Sequence, residues 1–482
     1  MYLFLTILLS FSFSTVILVP EDYPTIQQGI DASIDGDSVI VFAGIYYEII
    51  NYNGKDIIVT ASFGPDSTII DANGTGPAVK IENVESNYVE LSGFTIQNAY
   101  NSADGGAVYV VNSSPNFKDL IIHNNLSWNK GGGVYINGGS QTFRNCQVNN
   151  NRVIDQSGNG GGMYCIHSEN LLIEDCEFNY NSSYKNGTGL YLNDSQVIIN
   201  NSKIIGNNQE LGYDLDYDFT SRPIPKGGGI YVYLTDIYLY NNVINSNISP
   251  GPGGGIFGFE SAFIIYHTEI SNNKALHPSM AAEGGGAVFL NSTILLDHIT
   301  LAYNNAPANT DGLLLRNTTA QISNSILYGN NGSEIILREN ACVMLDYSNI
   351  MGGLAGIYGS IYCSEFGLNN IDDDPLFSDP ENLIYTLQYN SPCIDAGTAD
   401  IDGDGNQDNS DYNGLAPDMG SYEYENTTSG DLNGDGVIDI LDIVILADMI
   451  LNDMYSVEAD LNEDGNINIL DIVIYCNIIL GS

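Results

Sequence analysis

Residues 131–151 read GGGVYINGGSQTFRNCQVNNN, and the second half of that stretch is one line of a column. FRNCQVNNN, from Phe143, follows FKDLIIHNN from Phe117 and precedes IEDCEFNYN from Ile173 and INNSKIIGN from Ile199. The column continues with LYNNVINSN (Leu239), IYHTEISNN (Ile265), LDHITLAYN (Leu296) and ISNSILYGN (Ile322). The commonest step is 26 residues, and that period with several short strands in each marks a parallel β-solenoid. The first and sixth positions are apolar in every line and predict inward-facing columns. The third is polar and mostly Asp or Asn (Asp119, Asn145, Asp175, Asn201, Asn241), side chains that tolerate a left-handed bend between two strands. The ninth is always Asn: Asn125, Asn151, Asn181, Asn207, Asn247, Asn273, Asn304 and Asn330. An unbroken Asn column predicts a buried amide ladder, since buried amides are tolerated when each bonds the next.

The first half of the stretch recurs too, as GGAVYV at 105, GGGMYC at 160, GTGLYL at 187, GGGIYV at 227, GGGIFG at 253 and GGGAVF at 284. Glycine supplies a tight corner, and alternation then turns the neighbours of Tyr135 inward and Tyr135 outward. The outward row is Tyr109, Tyr135, Tyr164, Tyr191, Tyr231 and Phe257, expected to stack ring on ring at the strand spacing. Aromatic faces also bind sugar rings, so this row is a candidate glycan platform.

The 482 residues carry 59 acidic and 13 basic side chains, a formal charge of -46. Such a surface repels nucleic acid and attracts divalent cations. An anionic glycan is still compatible through bridging calcium. The opening MYLFLTILLSFSFS predicts a signal peptide at 1–14 rather than a buried first strand, and no later stretch is long and apolar enough to span a membrane. The secretory reading makes a disulfide among Cys342, Cys363 and Cys393 possible without fixing its pairing. Cys146, Cys165 and Cys176 fall inside the repeats as small inward groups.

VPEDYPTIQQGID, DGDSVIVFAGIYYE, GPDSTIIDA and LSGFTIQNA, followed by the GGG coils, resemble exported right-handed parallel β-helix proteins of the pectate-lyase-like superfamily. A short helix near Thr25 to Ala32 is expected as the cap. The segment DPLFSDPENLIYTLQYNSPCIDAG resembles the closing region of that group. The fold hosts lyases, hydrolases and binding proteins alike. A lyase needs a base beside a carboxylate, and the candidates are Lys118 and Arg144, with Glu174 next in the same outward column. A solvated charge ladder is the plainer account. Asn309-Thr310-Asp311 spells the first polygalacturonase-like motif, but its companion motifs are absent and Asp311-Gly312 falls at an ordinary corner.

The tail holds a duplicated phrase at an offset of 29: DLNGDGVIDILDIVILADMIL from Asp431 and DLNEDGNINILDIVIYCNIIL from Asp460. Asp431, Asn433, Asp435, the Val437 carbonyl and Asp442, and likewise Asp460, Asn462, Asp464, the Asn466 carbonyl and Asp471, set hard oxygen ligands at calcium-loop spacing. A loop followed by one helix, twice, resembles a type I dockerin. That resemblance implies calcium-dependent folding and a cohesin partner on a scaffold or cell surface, contacted around Ile440, Leu441, Ile469 and Leu470. A third loop, with Asp400, Asp402, Asp404 and Asp411, has similar oxygens but no following helix.

The organisation expected is therefore a signal peptide (1–14), an all-β right-handed parallel β-helix (15–425), a linker (426–430) and a small α-helical calcium-binding dockerin (431–482). The function expected is an extracellular, cohesin-tethered protein that binds a polysaccharide or surface. The alternative is a polysaccharide lyase or glycoside hydrolase delivered by the same tether.

Overall fold

The computed structural model describes residues 14–84, 86–209, 224–276, 283–307, 311–359, 361–401, 404–410, 412–424, 429–432, 437–451, 456, 458–462 and 464–480. Residues 1–13 of the expected signal peptide, Asn309, Thr310, Asp402, Asp411, Asn433, Asp435 and part of the expected linker lie outside them.

Parallel sheets run the length of the solenoid. One has 14 strands, from Val16–Val19 to Glu365–Phe366, and two have 12. A fourth, of 7 two-residue strands, lines the corner before the glycine runs. Each coil contributes one strand to each long sheet, so every strand pairs with its counterpart one coil away. Phe117 faces Phe143 and Phe143 faces Ile173, in the register that the column alignment requires. The inward columns make a continuous core in which Phe117, Phe143, Ile173 and Ile199 are fully or almost fully buried.

The bends are where the third column placed them. Asp119, Asn145, Asp175, Asn201, Asn241, His267, His298 and Asn324 all adopt left-handed backbone, with φ between 44 and 54°. The amide ladder is continuous as well. Asn125 Nδ2 donates to Asn151 Oδ1 at 3.0 Å, and the same bond repeats through Asn181, Asn207, Asn247, Asn273 and Asn304 to Asn330. Each Nδ2 also donates to a backbone carbonyl, as Asn181 does to Val148 at 2.8 Å. The ladder ends on a carboxyl, where Asn330 Nδ2 donates to Glu334. This arrangement explains the third glycine of the runs from 131 onward, where the first run has Ala107. A Cβ on Gly133 would lie 3.0 Å from Asn151 Nδ2 and 2.7 Å from Gly162 O, so the absent side chain is the room the amide occupies.

Helix α1 (Ile26–Ala32) caps the first coil, with Thr25 accepting from Gln28 N and Ile26 and Ile30 buried. At the other end Cys342 is bonded to Cys363 and ties the last two coils of the 14-stranded sheet, while Cys393 is buried and free. The closing segment then lies along the outside of the coils. Tyr422 Oη donates to Glu269 Oε2 at 2.7 Å, and Thr398 N donates to Asn324 Oδ1 at 2.7 Å. In the tail, α2 (Ile440–Leu451) and α3 (Ile469–Leu480) pack around Leu446, Ala459 and Tyr475, with Ile438 and Ile467 in the same cluster. Among the described residues, no helix is long and apolar enough to cross a membrane.

Candidate functional site

The sequence marked several surfaces. On the 14-stranded sheet Lys118, Arg144 and Glu174 do share one column. Lys118 Nζ lies 2.5 Å from Glu90 Oε2, and Arg144 Nε lies 2.7 Å from Glu174 Oε2. The guanidinium holds the Glu174 carboxyl below the usual carboxylate range. Each cation is thus matched to a carboxylate one coil away, which is the charge-ladder account rather than a base facing a substrate. Asp311 is fully buried at its corner, in keeping with a structural place there.

The aromatic row stacks as expected. Centroids from Tyr109 through Tyr135, Tyr164, Tyr191 and Tyr231 to Phe257 are 5.1, 5.6, 4.6, 4.9 and 5.5 Å apart, and no pair tilts by more than 12°. Yet Tyr135 and Tyr164 are each 6% exposed and Phe257 1%. Ring faces are taken by the neighbouring rings, with Lys130 over Tyr164 and Lys226 over Phe257. Burial pushes the Tyr135 hydroxyl up to about 12. The stack itself is what the row supplies, and its middle rings leave little face for a sugar. Tyr109, at the end of the row, still lines a cavity of about 720 Å³ with Ile49, Pro77 and Lys80.

What the sequence reading missed is a lateral groove of about 1000 Å³. It crosses four coils and is lined mostly by amides and hydroxyls, among them Asn83, Asn112, Asn116, Thr142 and Asn170, together with the carboxylate of Glu169. The turn that builds it bends at Asn83 and Asn112, both left-handed, and is pinned from beneath by the buried Gln141, which bonds Ser113 O and Gly138 O. The signal was the polar run after each Tyr-bearing strand, which lacks the fixed spacing of the other columns.

In the tail, the ends of both loops are built from buried carboxylates: Asp431 is 1%, Asp442 0%, Asp460 4% and Asp471 0% exposed. Asp442 accepts from Leu432 N and Asp439 N, both at 2.7 Å, which folds the loop over the start of α2. Asp460 accepts from Asp464 N and Gly465 N at 3.1 and 2.8 Å. No Lys, Arg or His follows Arg338 anywhere in the chain, so no side chain of the tail can neutralise these buried acids. Hard oxygen donors in a stretch with no basic side chain of its own fit calcium. Among the described residues no three His, Cys, Asp or Glu side chains converge as a metal group, and the ligand set expected from the loop spacing includes Asn side chains and backbone carbonyls. Ile440, Leu441, Ile469 and Leu470 are 53 to 65% exposed, a duplicated apolar face at the two helix starts. At the third loop Asp400 accepts from Asp404 N and Gly405 N at 3.1 and 2.9 Å, the pattern seen at Asp460.

A family model described as the right handed beta helix region matches residues 77–248, and one for the dockerin type I domain matches residues 429–480. The chain is a right-handed β-helix with a C-terminal type I dockerin. No curated protein matches it. Among solved structures, pectate lyase Pel9A is 16% identical over 86% of this chain and 97% of its own, with a TM-score of 0.46. The siphovirus 9NA tailspike receptor binding domain is 10% identical over 75% and 77%, with a TM-score of 0.25. An alginate lyase from Paenibacillus sp. str. FPU-7 is 10% identical over 72% and 94%, with a TM-score of 0.20. Such distant likenesses do not bear on what the β-helix does. The dockerin does bear on where it is held, since this domain implies anchoring through a cohesin.

Proposed function

We propose that this β-helix (15–425) is an exported polysaccharide-binding protein, held by its calcium-loaded dockerin (431–482) on a cohesin-bearing scaffold or cell surface. The observation that carries the reading is the lateral groove, whose lining, mostly amides and hydroxyls across four coils, suits a chain of sugar hydroxyls. With coils about 4.8 Å apart, its floor runs roughly 14 Å along the axis, so an extended chain can engage several coils together. Calcium would be held by Asp431, Asn433, Asp435, Val437 and Asp442, and by their counterparts from Asp460 to Asp471, where it offsets carboxylate repulsion. The loop at 400–411 is a third candidate. Ile440, Leu441, Ile469 and Leu470 offer the cohesin an apolar contact.

Retention of the full chain on insoluble polysaccharides, with calcium present, tests this. Replacing Asn116, Thr142 and Asn170 with Ala is expected to lower retention at least tenfold, and unchanged retention would refute the groove. Shortened or unsaturated products from pectate or alginate would replace binding by degradation.

A further inference from the structure

We infer that a second cavity, between the coil corners at Tyr240–Asn241 and His267 and the closing segment, binds a short run of neutral sugar rings, with His267 as a contact residue. The site stands apart from the lateral groove and uses different coils. Its first mark is a break in the repeat. The left-handed corner is Asp or Asn in the preceding coils, but two successive coils place His267 and His298 there, at φ 44 and 50°. An imidazole is a costlier occupant of that backbone than Asn, and these are two of only five histidines in the chain.

The two rings stack at 4.7 Å and 19°, and Tyr240 meets His267 edge-on at 5.7 Å. His298, 1% exposed, is fixed by Asp297, whose Oδ2 lies 2.8 Å from its Nδ1. Asp297 Oδ1 in turn accepts from Ser323 Oγ at 2.7 Å and Asn324 Nδ2 at 3.0 Å. That network leaves His298 Nε2 buried without a partner, a costly omission in a structural corner. A solvated groove over rigidly held aromatic and imidazole groups is the setting in which such a corner does more than turn the chain.

The cavity measures about 700 Å³, within the usual range for small-molecule sites, and its walls include Tyr240, Asn241, His267, Tyr412, Tyr422 and Glu423. Tyrosine rings offer apolar faces to sugar C–H groups, while the amide and carboxylate suit vicinal hydroxyls. Charge decides the class. Among the described residues no Lys or Arg lines the cavity, while Glu423 stands at its wall and Glu269 lies beneath Tyr422. A uronate or phosphate would enter against these acids, whereas a neutral sugar would not.

Titration calorimetry of the full chain, in calcium, with cello-, xylo- and mannohexaose and with trigalacturonate tests the inference. His267→Asn restores the residue usual at this corner and is expected to fold. At least one neutral hexasaccharide should bind, and both His267→Asn and Tyr412→Ala should weaken it at least tenfold. Arg144→Ala, on the exposed charge ladder and in neither cavity, should leave that affinity unchanged. No binding of any neutral hexasaccharide, tighter binding of trigalacturonate, or affinity lost in the groove variant Asn116→Ala/Thr142→Ala/Asn170→Ala but kept in His267→Asn overturns the assignment. The last outcome would still support the groove.

Discussion

Asn181 illustrates how much a single side chain carries in this solenoid. Its Nδ2 reaches Val148 O in one direction and Asn207 Oδ1 in the other, and its Oδ1 accepts from both nitrogens of Asn151. Asn181→Leu strands several buried polar groups in one step, so a loss of about 2–4 kcal/mol is expected in chemical denaturation. By contrast, Arg144→Ala on the exposed charge ladder should cost less than about 1 kcal/mol. Glu334 adds a pH dependence. Burial pushes its carboxyl up to about 8, so the folded state keeps a proton that the unfolded chain releases near 4.5. Its contribution is therefore fully present below the ordinary Glu range and is lost as pH rises toward 8. Asp418, raised to about 7, acts in the same direction. Denaturation midpoints should fall between pH 5 and pH 8, by the equivalent of about 1–3 kcal/mol, and Glu334→Gln should flatten the slope. A slope unaltered in that variant would assign the effect to other acids.

Among the elements, those with a fixed column were legible in the sequence and those without one were not. The apolar, Asn and Asp/Asn columns gave strands, ladder and bends because each coil repeats the same packing problem. Helix α1 was legible because its apolar stripe stands outside the repeat. The Tyr row was legible as a stack, but alternation gives the side of the sheet a residue faces, not what covers it there. The lateral groove escaped because its residues keep a composition without keeping a spacing. His267 and His298 were visible as exceptions in the third column, and their meaning required the closing segment, which arrives from far along the chain. The disulfide was open among three cysteines until the last two coils set Cys342 and Cys363 side by side. It closes a short loop, separation 21, so Cys363→Ser should lower stability by about 2–3 kcal/mol, read as an earlier urea midpoint.

At the scale of the whole molecule, the β-helix and the dockerin rest on different physics. One is a hydrocarbon core with satisfied amides, and the other is a pair of loops whose buried acids we propose calcium to offset. Chelation with EGTA should therefore abolish the signal of α2 and α3 and cohesin binding, while the main thermal transition of the β-helix moves by no more than a few degrees. A common loss of both would overturn this division. With a formal charge of -46, added salt should raise the main transition by screening self-repulsion. The amide ladder has a last consequence. Every rung donates in the same direction, from Asn125 toward Asn330, so the row of side-chain dipoles has a head and a tail. The tail accepts from Ala99 N and the head is received by Glu334. Whole coils can thus be duplicated or deleted from the middle of such a row with its polarity intact, whereas a cut leaves a raw end. Length is the property that evolution can vary freely here, and the two termini of the row are what it must keep.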